Sequence, residues 1–151
     1  MLRKLTAPIL MLALALFLTT TIASATENPA ASEASTQYLA GLPEGFNGIR
    51  GEALKAKLES GEQVFVLDVR QPNEFANGYI EGSVNIPVRE VPKNLTKLPQ
   101  DKKAQIVVVC ASAVRSGYVT MALSFMGYEN VKHLAAGYVA GWEKAGYPVK
   151  K

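Results

Sequence analysis

The chain lacks a second cysteine. Its 151 residues hold one Cys, one His and one Trp. With Cys110 alone, an intramolecular disulfide is excluded, so the thiol is either a small buried hydrophobe or a reactive group. The single histidine, His133, has no second imidazole with which to share a metal ion, and a strand-surface position is expected for it. It also lies far along the chain from Cys110, which argues against a Cys–His pair. No run of like charge is present, and the formal net charge of +3 gives no basis for nucleic-acid binding. No internal repeat is visible, which argues against a repeat architecture. The length suits one domain rather than two sizeable cores.

What is present begins with a targeting pattern. "MLRK" places Arg3 and Lys4 ahead of the apolar stretch "LTAPILMLALALFLTTTIASA". Ala23-Ser24-Ala25 fits a signal-peptidase site, which makes residues 1–25 a signal peptide and Thr26 the first mature residue. An uncleaved anchor is the alternative; the short apolar core and the A-x-A site favour cleavage. A periplasmic or secreted protein without stable membrane insertion is the expectation. Cleavage removes Arg3 and Lys4, the only charged residues before Thr26, so the mature chain is almost neutral and its basic pI says little about partners. Residues 26–47, "TENPAASEASTQYLAGLPEGFN", are small and polar. They predict a flexible linker, with at most a short ordered piece near Tyr38 and Leu39. The folded domain is expected over 48–151.

Within that domain apolar spacing alternates between two periods. Leu54 and Leu58 stand one turn apart before Gly61, a helix over 50–61. "QVFVLDV" is a short β-rich apolar run, a buried strand. "QPNEFANG" predicts one helical turn begun by Pro72, and "SVNIP" a short strand ended by Pro87. "REVPKNLTKLP" predicts a short helix. "AQIVVVC", the most apolar run after the signal segment, predicts the central strand of a parallel sheet covered on both faces. Val119, Ala122, Leu123 and Met126 share one face of a helix closed by Gly127. "NVKHL" predicts a last strand, and "YVAGWEKAG" a final helix with Trp142 as core anchor. Alternating strands and helices define the class: α/β with a mainly parallel central sheet flanked by helices in three layers.

In such sheets ligands bind beyond the carboxyl ends of strands, where Asp68 and Cys110 both fall. After Cys110 the backbone N–H groups of Ala111, Ser112, Ala113, Val114, Arg115 and Ser116 have no strand partner, and they can converge on one point. The helix beginning near Ser116 aims its positive end there. Arg115 adds a permanent charge, and Ser112 and Ser116 offer hydroxyl donors. Together these would stabilise negative charge on, or bound above, the Cys110 sulfur. A buried, inert cysteine closing an apolar strand remains the alternative on these residues alone.

Two stretches resemble the rhodanese (sulfurtransferase) domain family, with the likeness running over 48–149. "VFVLDVRQPNEFANGYIEGSVNIP" is similar to the family's L-D-V-R-x-x-x-E-[FY] segment and its continuation. "IVVVCASAVRSGYVTMALSFMGYENVKHLAAGYVAGW" is similar to its strand, active-site loop C-x-x-G-x-R-[SA], helix and closing Gly and Trp. The resemblance implies a compact α/β fold. It implies that Cys110 becomes a persulfide, taking sulfur from a small anionic donor such as thiosulfate and passing it to a thiophilic acceptor, cyanide or a thiol. It implies no metal or organic cofactor. A non-catalytic persulfide carrier is an alternative. A phosphatase or arsenate reductase is disfavoured, because the loop from Cys110 to Arg115 is one residue shorter than the phosphatase branch uses. The resemblance gives Asp68, with an Arg70–Glu74 pair, a structural role in holding the pocket loops. A monomer is expected. Ala113 and Ala136 depart from common glycines, and Tyr79 from a common His. Alanine at a positive-φ position in the loop would cost about 1 kcal/mol.

Overall fold

The computed structural model describes residues 28–151; the expected signal peptide, 1–25, lies outside them. Five strands form one sheet in the order β1-β5-β4-β2-β3, and every pairing is parallel. The strands are β1 (Gly48–Ile49), β2 (Val64–Asp68), β3 (Val84–Asn85), β4 (Gln105–Val109) and β5 (Val131–Leu134). The helices are α1 (Pro29–Ala40), α2 (Gly51–Glu59), α3 (Pro72–Ala76) and α4 (Val114–Phe125). This is the three-layer α/β architecture that the alternating periodicities predict. Among the described residues, no helix is long and apolar enough to cross a membrane.

β4 takes the middle of the sheet because Ile106 to Val109 are apolar on both faces. All four side chains are fully buried. Ile106, Val108 and Cys110 face one core with Val119 and Leu123 of α4. Val107 and Val109 face the other, with Leu54 of α2 and Trp142. Each such aliphatic side chain contributes about 1.5–3 kcal/mol by leaving water. The strand's period of two therefore sends Cys110 to the same side of the sheet as α4.

Several elements differ from expectation. Inside the predicted flexible linker, α1 runs from Pro29 to Ala40. Asn28 caps it by accepting the Ala31 N–H, and Pro29 opens it with no N–H to waste. Its one aromatic tie is Tyr38, edge-on to Phe125 at 5.4 Å. The helix predicted over "REVPKNLTKLP" is two 3₁₀ turns, Val91–Lys93 and Leu95–Lys97, since Pro92 sits at the start and no 3.6-residue face follows. The final helix is a short π-helical segment, Val139–Glu143. Trp142 is buried there and donates its indole N–H to Pro148 O at 2.7 Å. The buried face of α4 is rotated from the expected one. It consists of Ser116, Val119, Thr120 and Leu123, while Met126 lies exposed past the helix end. The rotation buries Ser116 and Thr120, which puts two hydroxyls on the core side.

Candidate active site

Cys110 sits one residue beyond β4, and α4 begins four residues later at Val114. The intervening loop is pinned from the far side. The Cys110 carbonyl accepts the Tyr138 N–H at 2.7 Å, and the Ala111 carbonyl accepts the Val139 N–H at 3.1 Å. Gly137 permits this approach. It has φ +67, and a Cβ on it would stand 2.5 Å from Ala111 O and from Ser112 N, so no other residue fits without displacing the loop. Ala113 then turns the chain into the helix at φ 71, ψ −15, the left-handed region.

The sulfur is met by Ser116. The Ser116 N–H donates to Cys110 Sγ at 3.3 Å. The thiol in turn lies 3.4 Å from Ser116 Oγ, whose own hydroxyl donates to Ala113 O at 3.0 Å. Of the six loop amides expected to converge, that of Ser116 is the one that hydrogen-bonds Sγ. The N–H groups of Ala111, Ser112, Ala113, Val114 and Arg115 donate to no protein acceptor among the described residues. This follows from geometry: the first turn of a helix and the loop ahead of it have no carbonyls to pair with. Cys110 itself is wholly enclosed.

Charged residues around the loop pair differently from expectation. Arg115 forms a two-pronged ion pair with Glu74, at 2.7 Å for each prong, the favourable planar geometry for guanidinium and carboxylate. Glu74 also accepts the Gln71 N–H at 2.9 Å through Oε2, at the start of α3. The hydrogen bonds from Arg115 hold the Glu74 carboxyl down at about 2, against the cost of partial burial. Reciprocally, Glu74 pushes the Arg115 pKa up, with smaller contributions from Cys110. The expected Arg70–Glu74 pair is therefore corrected. Arg70 reaches only the Glu74 main-chain carbonyl, at 3.3 Å, because its guanidinium is committed to Asp68.

That commitment is buried. Asp68 and Arg70 are joined by Nε and Nη2 contacts of 2.7–3.0 Å, with side chains only 1% and 3% exposed. Arg70 Nη2 also donates to Gly78 O at 2.8 Å, and the guanidinium lies 3.8 Å from the Tyr138 ring centre. Asn85 Nδ2 closes the cluster by donating to Asp68 O and Arg70 O, each at 3.0 Å. The cluster ties β2, β3, α3 and the Tyr138 turn together behind the Cys110 loop. Tyr79 packs by stacking on Phe75, ring centres 4.2 Å apart.

Sequence reading misses Gly137, Tyr138 and Asn85, which reach the site by main-chain approach or by register rather than by a side-chain motif. It also misplaces His133. This residue is partly buried on β5, not on the strand surface; its Nδ1 is enclosed without a hydrogen-bond partner, and burial lowers its pKa.

Cys110 thus stands in a strand-to-helix loop at the carboxyl end of the central strand of a parallel α/β sheet, the end at which such sheets bind ligands. The chain belongs to the rhodanese-like domain family, whose model matches residues 51–145. It is 32% identical to a sulfurtransferase of Allochromatium vinosum over 103 residues, 68% of this chain and 94% of that protein. It is 33% identical to the thiosulfate sulfurtransferase PspE of Escherichia coli over 67 residues, 44% of this chain and 64% of that one. Among solved structures, a rhodanese-related protein of Thermoplasma volcanium superposes with a TM-score of 0.61 at 32% identity, covering 68% of this chain and 96% of that one.

Proposed function

We propose that the protein moves sulfane sulfur through a persulfide on Cys110. The Cys110 thiolate attacks the outer sulfur of thiosulfate. The new Sγ–S bond forms as the S–S bond of the donor breaks, and sulfite leaves with the electron pair. An acceptor nucleophile, cyanide or a thiolate, then attacks the outer sulfur and returns Sγ as thiolate. The observation that carries this reading is the Ser116 N–H directed at Sγ at 3.3 Å, beside five loop N–H groups that have no protein acceptor. Amides so placed stabilise negative charge on the sulfur and on its adduct. Arg115, in the first turn of α4, is locked to Glu74, a pairing that ties α3 to the end of the loop.

The test is intact mass. Incubation with thiosulfate should add one sulfur atom to the wild-type chain, and cyanide should remove it. Cys110→Ser should gain no sulfur and lose thiosulfate:cyanide transfer altogether; a serine variant with full activity refutes the mechanism. A second reading is a persulfide carrier that hands sulfur to a partner, with Ala113 held at φ 71 in the loop accounting for poor turnover. It predicts a stoichiometric mass gain with negligible steady-state turnover. The signal-like residues 1–25 support export to the periplasm or medium, which cell fractionation tests.

A further inference from the structure

α4 is apolar on two opposite faces. Val119 and Leu123 enter the core. Val114, Tyr118, Met121 and Phe125, spaced i, i+4, i+7 and i+11, form a stripe on the side turned away from it. A helix face left to water normally carries charge. Arg115 is nonetheless the only charged residue among the twelve of α4, and Glu74 holds it. Tyr118 remains 66% exposed, while Phe125, at the far end, meets the ring of Tyr38.

A cleft of about 410 Å³ opens along this stripe. Val114, Tyr118 and Met121 line it from α4, and Tyr38, Leu42 and Phe46 from the segment ahead of β1. No Lys, Arg, Asp or Glu lines it. Two residues hold its shape against their own preference. The Gly48 N–H closes a turn onto Gly45 O at 2.8 Å, and the two central residues of that turn, Phe46 and Asn47, stand at φ 52 and 59. Such left-handed turn positions favour Gly, Asn and Asp, and a bulky ring there is strained. Phe46 is also 71% exposed, so core packing does not offset the strain. Gly117 lies in the first turns of α4, where glycine is a poor helix former. It lines the cleft, and a Cβ on it would meet no heavy atom within 4 Å beyond its chain neighbours and its own helix backbone. One face thus carries a ring held outward and a hollow left open beside it.

We propose that two copies of the chain pair through this face about a two-fold axis, each placing Phe46 in the cleft of the other. A two-fold contact joins a patch to itself, so the patch must supply both knob and hole. It also sets charges near their own copies, a repulsion that a charge-free lining avoids. Four of the seven large hydrophobic side chains left exposed among the described residues, Phe46, Val114, Tyr118 and Phe125, belong to this face, and aromatic residues are enriched in interfaces. The pairing stands in place of the monomer expected from sequence, and it does not depend on the sulfur chemistry.

Sedimentation velocity of the purified protein over a concentration series is the test. The wild type should pass from one chain to two as concentration rises. Phe46→Asn and Gly117→Leu should each weaken the dimer at least tenfold. Both should also raise the urea midpoint of the dilute monomer, since Asn accepts the left-handed turn and Leu is the better helix former, so that lost pairing is distinguished from lost fold. An equimolar mixture of the two variants should pair more tightly than either alone, because the Gly117→Leu copy still offers Phe46 and the Phe46→Asn copy still offers an open cleft. A wild type that stays a single chain at every soluble concentration overturns the proposal and leaves the face to a different protein. A dimer unchanged in both variants, or a mixture no tighter than either parent, overturns it as well.

Discussion

Ala113 holds a conformation that its side chain opposes. At φ 71 its Cβ crowds the neighbouring carbonyl, at a cost of about 1–2 kcal/mol, and glycine escapes that cost while losing somewhat more entropy on folding. Ala113→Gly should therefore stabilise the protein by about 0.5–1 kcal/mol, read as a higher urea midpoint at unchanged m-value. An unchanged or lower midpoint would mean the loop carries no strain there. Gly137 is the opposite case. Gly137→Ala adds both a left-handed alanine and a collision with Ala111 O and Ser112 N, and should cost more than about 2 kcal/mol in the same experiment. Cys110 and the departure at Ala113 are legible in the sequence, because a single thiol after an apolar run and an alanine in a turn are local signals. Gly137 is not legible in the same way. Its reason is a backbone approach from a distant part of the chain, and nothing adjacent to it records that contact.

α3 is five residues long, too short to stand on its own hydrogen bonds. What holds it is Glu74, shared between the Gln71 N–H and the Arg115 guanidinium. The carboxyl of Glu74 lies at about 2, below its ordinary 4.5. A depressed carboxyl stabilises the fold fully above its unfolded value, and that stability drains away as pH falls from about 4.5 toward about 2. The wild type should thus lose stability across this window more steeply than Glu74→Gln, measured by urea unfolding at a series of pH values. Parallel slopes would show that the ion pair does not reach the folding equilibrium. The pair is a third exposed, so solvent screening keeps the effect modest. At this scale β2, β4 and α2 are readable because hydrophobic period and turn residues agree. The two 3₁₀ turns and the π-helical segment carry no period of their own. The face of α4 is read one turn late, because Ser116 and Thr120 are polar residues that tertiary structure buries. The Arg115–Glu74 pairing is invisible in a motif that places Arg70 nearer to Glu74 in sequence.

The whole molecule turns on a charged cluster inside an apolar frame. Asp68 and Arg70 are buried together, and such a pair matters most when one member is removed, because the other is left uncompensated. Arg70→Met should cost about 3–5 kcal/mol, by urea unfolding. Adding Asp68→Leu should recover part of that loss by deleting the stranded carboxylate; if the double variant is as unstable as the single one, the cluster's value lies in the Arg70 bond to Gly78 O and the Arg70 N–H bond to Asp68 Oδ1 rather than in charge. The sheet order places β4 at the centre, so the sulfur rides on the most heavily packed strand. The cluster braces the neighbouring β2 and β3, the side from which Glu74 reaches across to Arg115.

The main-chain clasp from Tyr138 and Val139 onto Cys110 and Ala111 also sets an order of events during synthesis. A ribosome delivers the thiol well before it delivers the residues that seat it. Until the chain has been made through Val139, a nascent protein carries its one cysteine without the backstop that shapes the surrounding loop. A polypeptide cut short ahead of that point would keep every residue from Cys110 to Ser116 and still lack a formed cradle.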